Sequence, residues 1–302
     1  MDKINYPKRY SSPKELITLL KSRGLSISDE AKAENYLLHI GYFRLSAYCH
    51  PLLKIPKTDH QYKEGATFSQ ILMLYRFDRK LRLLVFNEIE KIEVAIRSIV
   101  INTACEHFSD IFWMTDSNKF TNTRYFSKFA ADLQNEIDNS SEDFMLHYAS
   151  TYCNPFPPAW FIAETLSLGS ICHIYKNIKD KALKKKIARE FGLQSIAFES
   201  WILTLAGLRN ICCHHGRLWN RTLKLKPTNP NLTYLPWLKD ATKIDMQKIY
   251  YRLCIIKYFL FSISPNNSFK EKLINLLQQY PNIDITAMGF SSDWQNETIW
   301  QK

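Results

Sequence analysis

Arg209, Asn210 and His214 stand close together in the stretch Leu208-Arg209-Asn210-Ile211-Cys212-Cys213-His214-His215-Gly216-Arg217. A guanidinium forks onto two phosphate oxygens, an imidazole exchanges protons near neutral pH, and a carboxamide can hold either partner. Fixing the three within little more than one helical turn places a phosphate beside a proton acceptor. RNA suits such a site because it carries its own nucleophile, the 2′-hydroxyl. A base need only take its proton while a cation steadies the charge growing on the phosphate. His214 fits the first task, Arg209 the second, and Asn210 would hold the imidazole or the phosphate. This chemistry asks for no metal and no other cofactor, and it leaves a 2′,3′-cyclic phosphate and a 5′-hydroxyl. Two other readings remain: a non-catalytic RNA-binding module that grips phosphate through the same residues, and a satisfied core pair of Arg209 and His214.

Trp201, Leu205, Leu208 and Cys212 fall at helical spacing upstream, so the motif ends an amphipathic helix, with Gly216 as its natural stop. Residues five apart on a regular helix lie about 140° apart. Arg209 and His214 then face different ways, whereas Asn210 and His214 share a face. Either the helix end is distorted, or the two side chains address a groove shared with another element or another subunit. A homodimer with two motifs facing one cleft would meet the second condition. His215 stands one residue further from Arg209; the spacing to His214 is preferred, with His215 bonding a neighbouring helix. The cluster Cys212-Cys213-His214-His215 does not read as a zinc site, because adjacent helical side chains diverge by about 100° and tetrahedral sites use gapped pairs.

Arg-Asn-x-x-x-His at the end of a bundle helix resembles the HEPN ribonuclease motif of Arg, four to six residues and His. The flanks resemble the Abi-like family, which comprises the AbiD and AbiF abortive-infection proteins of bacteria. They are Ile40-Gly41-Tyr42-Phe43-Arg44-Leu45-Ser46-Ala47-Tyr48, Leu74 to Arg82, Ile92 to Arg97, Pro158-Ala159-Trp160 and Met288-Gly289-Phe290 with Asp293-Trp294. These stretches run in the same order from about Tyr6 to Trp300. The resemblance implies a HEPN-type helical bundle and the same roles for Arg209, Asn210 and His214. It also implies a toxin in phage defence that in some members is held by a small non-coding RNA.

The chain of 302 residues carries a formal net charge of +11, with 46% hydrophobic and 14% aromatic residues. There is ample material for a core, and the surplus of cations favours a polyanion, nucleic acid before membrane. No run approaches the roughly 18–20 apolar residues of a spanning helix. Met1-Asp2-Lys3-Ile4-Asn5 has no apolar leader, so a cytoplasmic protein is expected. Seven cysteines, mostly in apolar runs such as those of Cys105, Cys172 and Cys254, read as reduced core residues.

Strand alternation is absent, so the expected fold is all-α. The expected division is an N-terminal helical unit over 1–66, a bundle carrying the motif over 67–264, and a C-terminal helix and tail over 265–302. Ser12-Pro13-Lys14-Glu15 is a capping box with Pro at the first helical position, and Ser28-Asp29-Glu30 caps a second helix. The longest helix runs from Phe68 to about Cys105. On it Asp78, Arg82, Glu93 and Arg97 recur at i+4 spacing, as surface ion pairs do; alternatively Glu93 and Arg97 are half-buried and face the Arg209–His214 groove. Tyr42, Arg44 and Tyr48 read as core and surface residues. A helix is expected over Arg124–Ile137 with loops beside it, and one helix over Ala159–Ile178. The basic run Lys179 to Arg189 is a solvated face or a phosphate track through Lys184, Lys185 and Lys186. Arg217, Trp219 and Arg221 form a basic, aromatic loop after the motif. Met288, Phe290, Trp294 and Trp300 anchor the tail back onto the bundle.

Overall fold

Ser12, Pro13 and Glu15 open the first helix as their order predicts. In the computed structural model, which describes Asn5 and residues 9–301, Ser12 accepts the Glu15 amide and the Glu15 carboxylate reaches back to the Ser12 amide at 2.6 Å. Met1 to Ile4, read above for the absence of a leader, and Tyr6 lie outside the described residues. Twelve α-helices make up the described residues together with short 3₁₀ turns and isolated β-bridges, and no strand occurs among them. The fold is all-α, with 65% of the chain helical.

The chain divides into two compact units. One reaches to Leu81 and takes in Leu276–Ile283; the other is Arg82–Asn275 with the chain from Asp284 on. The first unit contains α1 (Pro13–Ser22), α2 (Glu30–His39), α3 (Tyr42–Cys49) and the start of α4 (Phe68–Phe108). Ile17, Leu20, Leu37, Leu45, Ile71 and Phe77 bury its core. Asp78 is fully buried and accepts the Tyr48 hydroxyl at 2.6 Å. Arg82 is buried as well. The reading of Asp78 and Arg82 as surface ion pairs is thus corrected: the i+4 spacing is right, but the helix turns these residues inward.

The second unit is built on the rest of α4, whose Val85, Ile89, Ile92, Ile96 and Val100 form an unbroken buried stripe. Each such side chain contributes about 1.5–3 kcal/mol on leaving water. Glu88 is buried on the same helix and holds Lys91 at 2.7 Å and Lys272 at 3.0 Å. Burial pushes its carboxyl up, yet the two lysine bonds hold it below the ordinary carboxylate value. The remaining helices are α5 (Thr123–Asn139), α6 (Asp143–Thr151), α7 (Ala159–Thr165), α8 (Leu168–Asn177), α9 (Lys181–Glu190), α10 (Ser195–Cys213), α11 (Ile249–Ile263) and α12 (Phe269–Gln279), the last passing into the first unit from Leu276. The tail residues Met288, Phe290, Trp294 and Trp300 are buried, and Trp300 donates to the Tyr250 hydroxyl of α11 at 3.2 Å.

Two helices differ from the sequence expectation. The loops expected after α5 contain α6, which begins at Asp143; an acidic residue in a first turn suits the positive end of the helix dipole. The single helix expected over Ala159–Ile178 is two, α7 and α8. Leu166 is extended (ψ 141°), and the Ser167 hydroxyl caps α8 by accepting the Ser170 amide at 3.1 Å. That break frees the Leu166 carbonyl for the site described next.

α10 packs against α8, α9 and α11, burying Phe198, Trp201, Ile202, Leu205 and Leu208. Its mean hydropathy reaches 1.2 over 18 residues, so by length and composition it could cross a membrane. This corrects the expectation that no run comes near that limit. Half of that window is buried among its neighbours, as a core helix requires.

Candidate active site

α10 ends in two crossed hydrogen bonds. The His215 amide donates to the Cys212 carbonyl at 3.0 Å, and the Gly216 amide to the Ile211 carbonyl at 2.7 Å. This pattern is the Schellman closure. The left-handed residue it requires is His215 (φ 56°) rather than Gly216, which corrects the expected stop. Gly216 serves by close approach: a Cβ there would sit 2.9 Å from Ile211 Cγ2 and 3.2 Å from the Ile211 carbonyl oxygen. His214 is the cap, with ψ 15° against about −42° in a regular helix. The chain thus leaves the helical path at His214.

Arg209 turns to another element of its own chain. Its Nε lies 3.6 Å from Glu93 Oε2 on α4, and its guanidinium lies 5.9 Å from the centre of the Phe86 ring. Glu93 Oε1 faces Arg97 Nη2 at 3.4 Å, and Arg97 donates onward to the Leu166 carbonyl at 3.0 Å and to Glu164 at 3.4 Å. Phe86, Glu93 and Arg97 lie on one face of α4, so the helix period delivers all three to the motif. Glu93 is only 13% exposed. A carboxylate that far out of water needs cations, and it has two. Its charge reaches α8, where burial raises the Cys172 thiol and the neighbouring Glu93 carboxylate raises it further. Of the two alternatives for the i+4 run, the half-buried one describes Glu93 and Arg97.

Arg209 keeps 35% of its side chain exposed. Its Nε is buried and makes no hydrogen bond, and its outer Nη pair has no partner among the described residues. The fork is therefore fixed at its base and open at its tip. Asn210 and His214 are exposed, with no side-chain hydrogen bond among the described residues. Gly207, one turn back on their face, has no atom within 4 Å of where a Cβ would be. The structure thus brings together Arg209, Glu93 and Arg97 in one network, and sets Asn210 and His214 on an open face beside it.

The other basic residues part company. Arg221 folds back to donate to the Arg217 carbonyl at 3.2 Å. Trp219 is buried and donates to the Asp284 carbonyl at 3.1 Å, so the loop is anchored rather than offering its aromatic ring outward. Lys184 holds Glu199 at 2.8 Å and lies over the Tyr175 ring, and Lys186 pairs with Glu106. Only Lys185 of the three is exposed without a partner among the described residues. Phe86, Glu164 and the Leu166 carbonyl were missed by sequence reasoning. Phe86 could have been found one α4 heptad before Glu93; the other two depend on the α7–α8 break. Among the described residues no group of three or more His, Cys, Asp or Glu could hold a metal ion.

Gly216→Ala should lower stability by about 1–3 kcal/mol, the range for overpacking a close contact, measured by urea unfolding. Unchanged stability would mean the turn closes without the contact on Ile211.

A family model described as Abi-like protein matches residues 35–220, from α2 through α10 and the loop that follows it. No curated protein and no solved structure matches the chain. The family match spans well over half of the 302 residues, and the chain belongs to the Abi-like family.

Proposed function

We propose that the chain is a metal-independent endoribonuclease that acts in abortive infection. The family name supplies the second half of that statement. The first rests on one observation: an arginine clamped at its base by Glu93, with a free fork, beside an exposed Asn210 and His214. The Arg209 fork takes two oxygens of the scissile phosphate and steadies the charge that grows there. His214 accepts the proton of the 2′-hydroxyl as its oxygen attacks phosphorus and the 5′-oxygen departs. Asn210, on the His214 face, orients the imidazole or the phosphate. Glu93 and Arg97 position Arg209 without touching RNA. The charge of +11 draws the polyanion in.

Arg209→Ala and His214→Ala should each abolish RNA cleavage and any growth arrest, with unfolding midpoints close to wild type. His215→Ala should be milder. Cleavage should persist in EDTA, and an all-DNA strand should bind without being cut. A well-folded His214→Ala protein that still cuts RNA sinks the assignment, and so does strict metal dependence of the chemical step.

A non-catalytic grip on RNA is the second reading, favoured by the lack of any side chain holding the His214 ring, because general bases are oriented by a third group. A second copy of the chain would supply that missing contact, and two-fold pairs are the commonest oligomers. The active unit is accordingly a homodimer whose open faces of Gly207, Asn210 and His214 meet at one cleft. Wild-type chains co-refolded with excess Arg209→Ala/His214→Ala chains should then lose activity as the square of the wild-type fraction. A linear loss would place the whole site in one chain.

A further inference from the structure

At the other end of α10, about 21 Å from Arg209 and 28 Å from His214 at 1.5 Å per residue, lies a cavity of about 310 Å³ lined by Lys185, Arg189, Gln194, Ser195, Ile196 and Tyr234. Lys185 and Arg189 sit at i,i+4 on α9, exposed, with no carboxylate partner among the described residues. Their neighbours Lys184 and Lys186 each have one, Glu199 and Glu106. Like charges at this spacing repel. Ser195 lines the same cavity, with its Oγ out of water beside the Tyr175 hydroxyl. The α10 N-terminus has no side-chain cap, because Gln194 makes none. The cavity therefore brings two cations and the uncapped N-terminus of α10 to one small volume.

An aromatic ring stands over its rim. Tyr234 is 61% exposed, yet its backbone is fixed: its amide donates to the Gly192 carbonyl at 3.0 Å, and Thr233 bridges to Leu193. Gly192 has φ 65°, and a Cβ there would meet Leu235 at 3.0 Å and the Tyr258 hydroxyl at 3.1 Å, so only glycine lets the two loops close. The frame fixes the backbone that carries the ring, so only the side-chain rotamer is left to order when a ligand arrives.

We propose that this cavity holds one nucleotide of a single-stranded RNA, its phosphate between Lys185 and Arg189 and its base stacked on Tyr234. The volume is at the low end of the roughly 300–1,000 Å³ of small-molecule sites, which suits one nucleotide. Cations along a backbone track with an aromatic platform are the usual means of holding single strands. The proposal rests on the reading that the chain binds RNA, and it adds an anchor distinct from the cleaving residues.

The test is fluorescence anisotropy with a 2′-O-methyl RNA decamer, which cannot be cut through its 2′-oxygen, and with heparin as a polyanion without bases. Tyr234→Ala should weaken decamer binding about tenfold and leave heparin binding unchanged. Arg189→Ala should weaken both and reduce the salt slope of decamer binding by about one. Lys186→Ala, tied to Glu106, should change the decamer affinity less than twofold. Decamer binding that is tight in wild type and equal in Tyr234→Ala overturns the anchor and leaves the RNA reading standing. Equal loss of heparin and decamer binding in Tyr234→Ala also overturns it. A wild-type protein that binds no decamer overturns both.

Discussion

Glu93 is a carboxylate withdrawn from water between two arginines, and the geometry of the motif follows from that pairing. Removing a charge from solvent costs several kcal/mol unless it is met by opposite charge. Arg97 meets it from the same helix and Arg209 from α10. Glu93 meets the base of the Arg209 guanidinium by charge at 3.6 Å, and the side chain keeps 35% of its surface exposed. A floppy surface arginine would lose rotamer entropy each time it gripped a phosphate. Arg209, seated on Phe86 and Glu93, has lost much of it in folding. The Leu166 carbonyl completes the arrangement by holding Arg97, and it is available only because the chain breaks between α7 and α8.

Three acidic residues of α4 are withdrawn from water, while Glu90 and Glu106 stay exposed. Asp78 accepts the Tyr48 hydroxyl, Glu88 holds two lysines, and Glu93 faces two arginines. Each is buried or nearly so, and each fixes a neighbouring element to the helix. On α9, by contrast, Lys184 and Lys186 serve the fold through Glu199 and Glu106, while Lys185 and Arg189 line a cavity.

The capping box at Ser12 and Glu15 and the apolar stripe of α4 were legible because they are local: caps and periodicity depend on residues within a few turns. The motif itself was legible from residue type. Its seating was not. The i+4 run of Asp78, Arg82, Glu93 and Arg97 reads alike on a wet face and a buried one, and the deciding partners Tyr48 and Arg209 lie far away in sequence. The α7–α8 break escaped because Trp160, Ala163, Leu166 and Ile174 keep the helical period across it, while Ser167 signals only weakly. Gly216 marked the end of α10, but the left-handed residue is His215, a type that takes this conformation far less readily than glycine. Lys184, Lys185 and Lys186 are identical in type and adjacent, so only their packing could divide them.

The central claim, that Arg209 and His214 cut RNA through its own 2′-hydroxyl, is tested most directly by the chemistry of the product ends. RNA cut by the purified protein should carry 2′,3′-cyclic phosphates on the upstream fragments and 5′-hydroxyls on the downstream ones. Fragments with 3′-hydroxyl and 5′-phosphate ends would contradict it, because a water molecule and not the 2′-oxygen would then have attacked the phosphate.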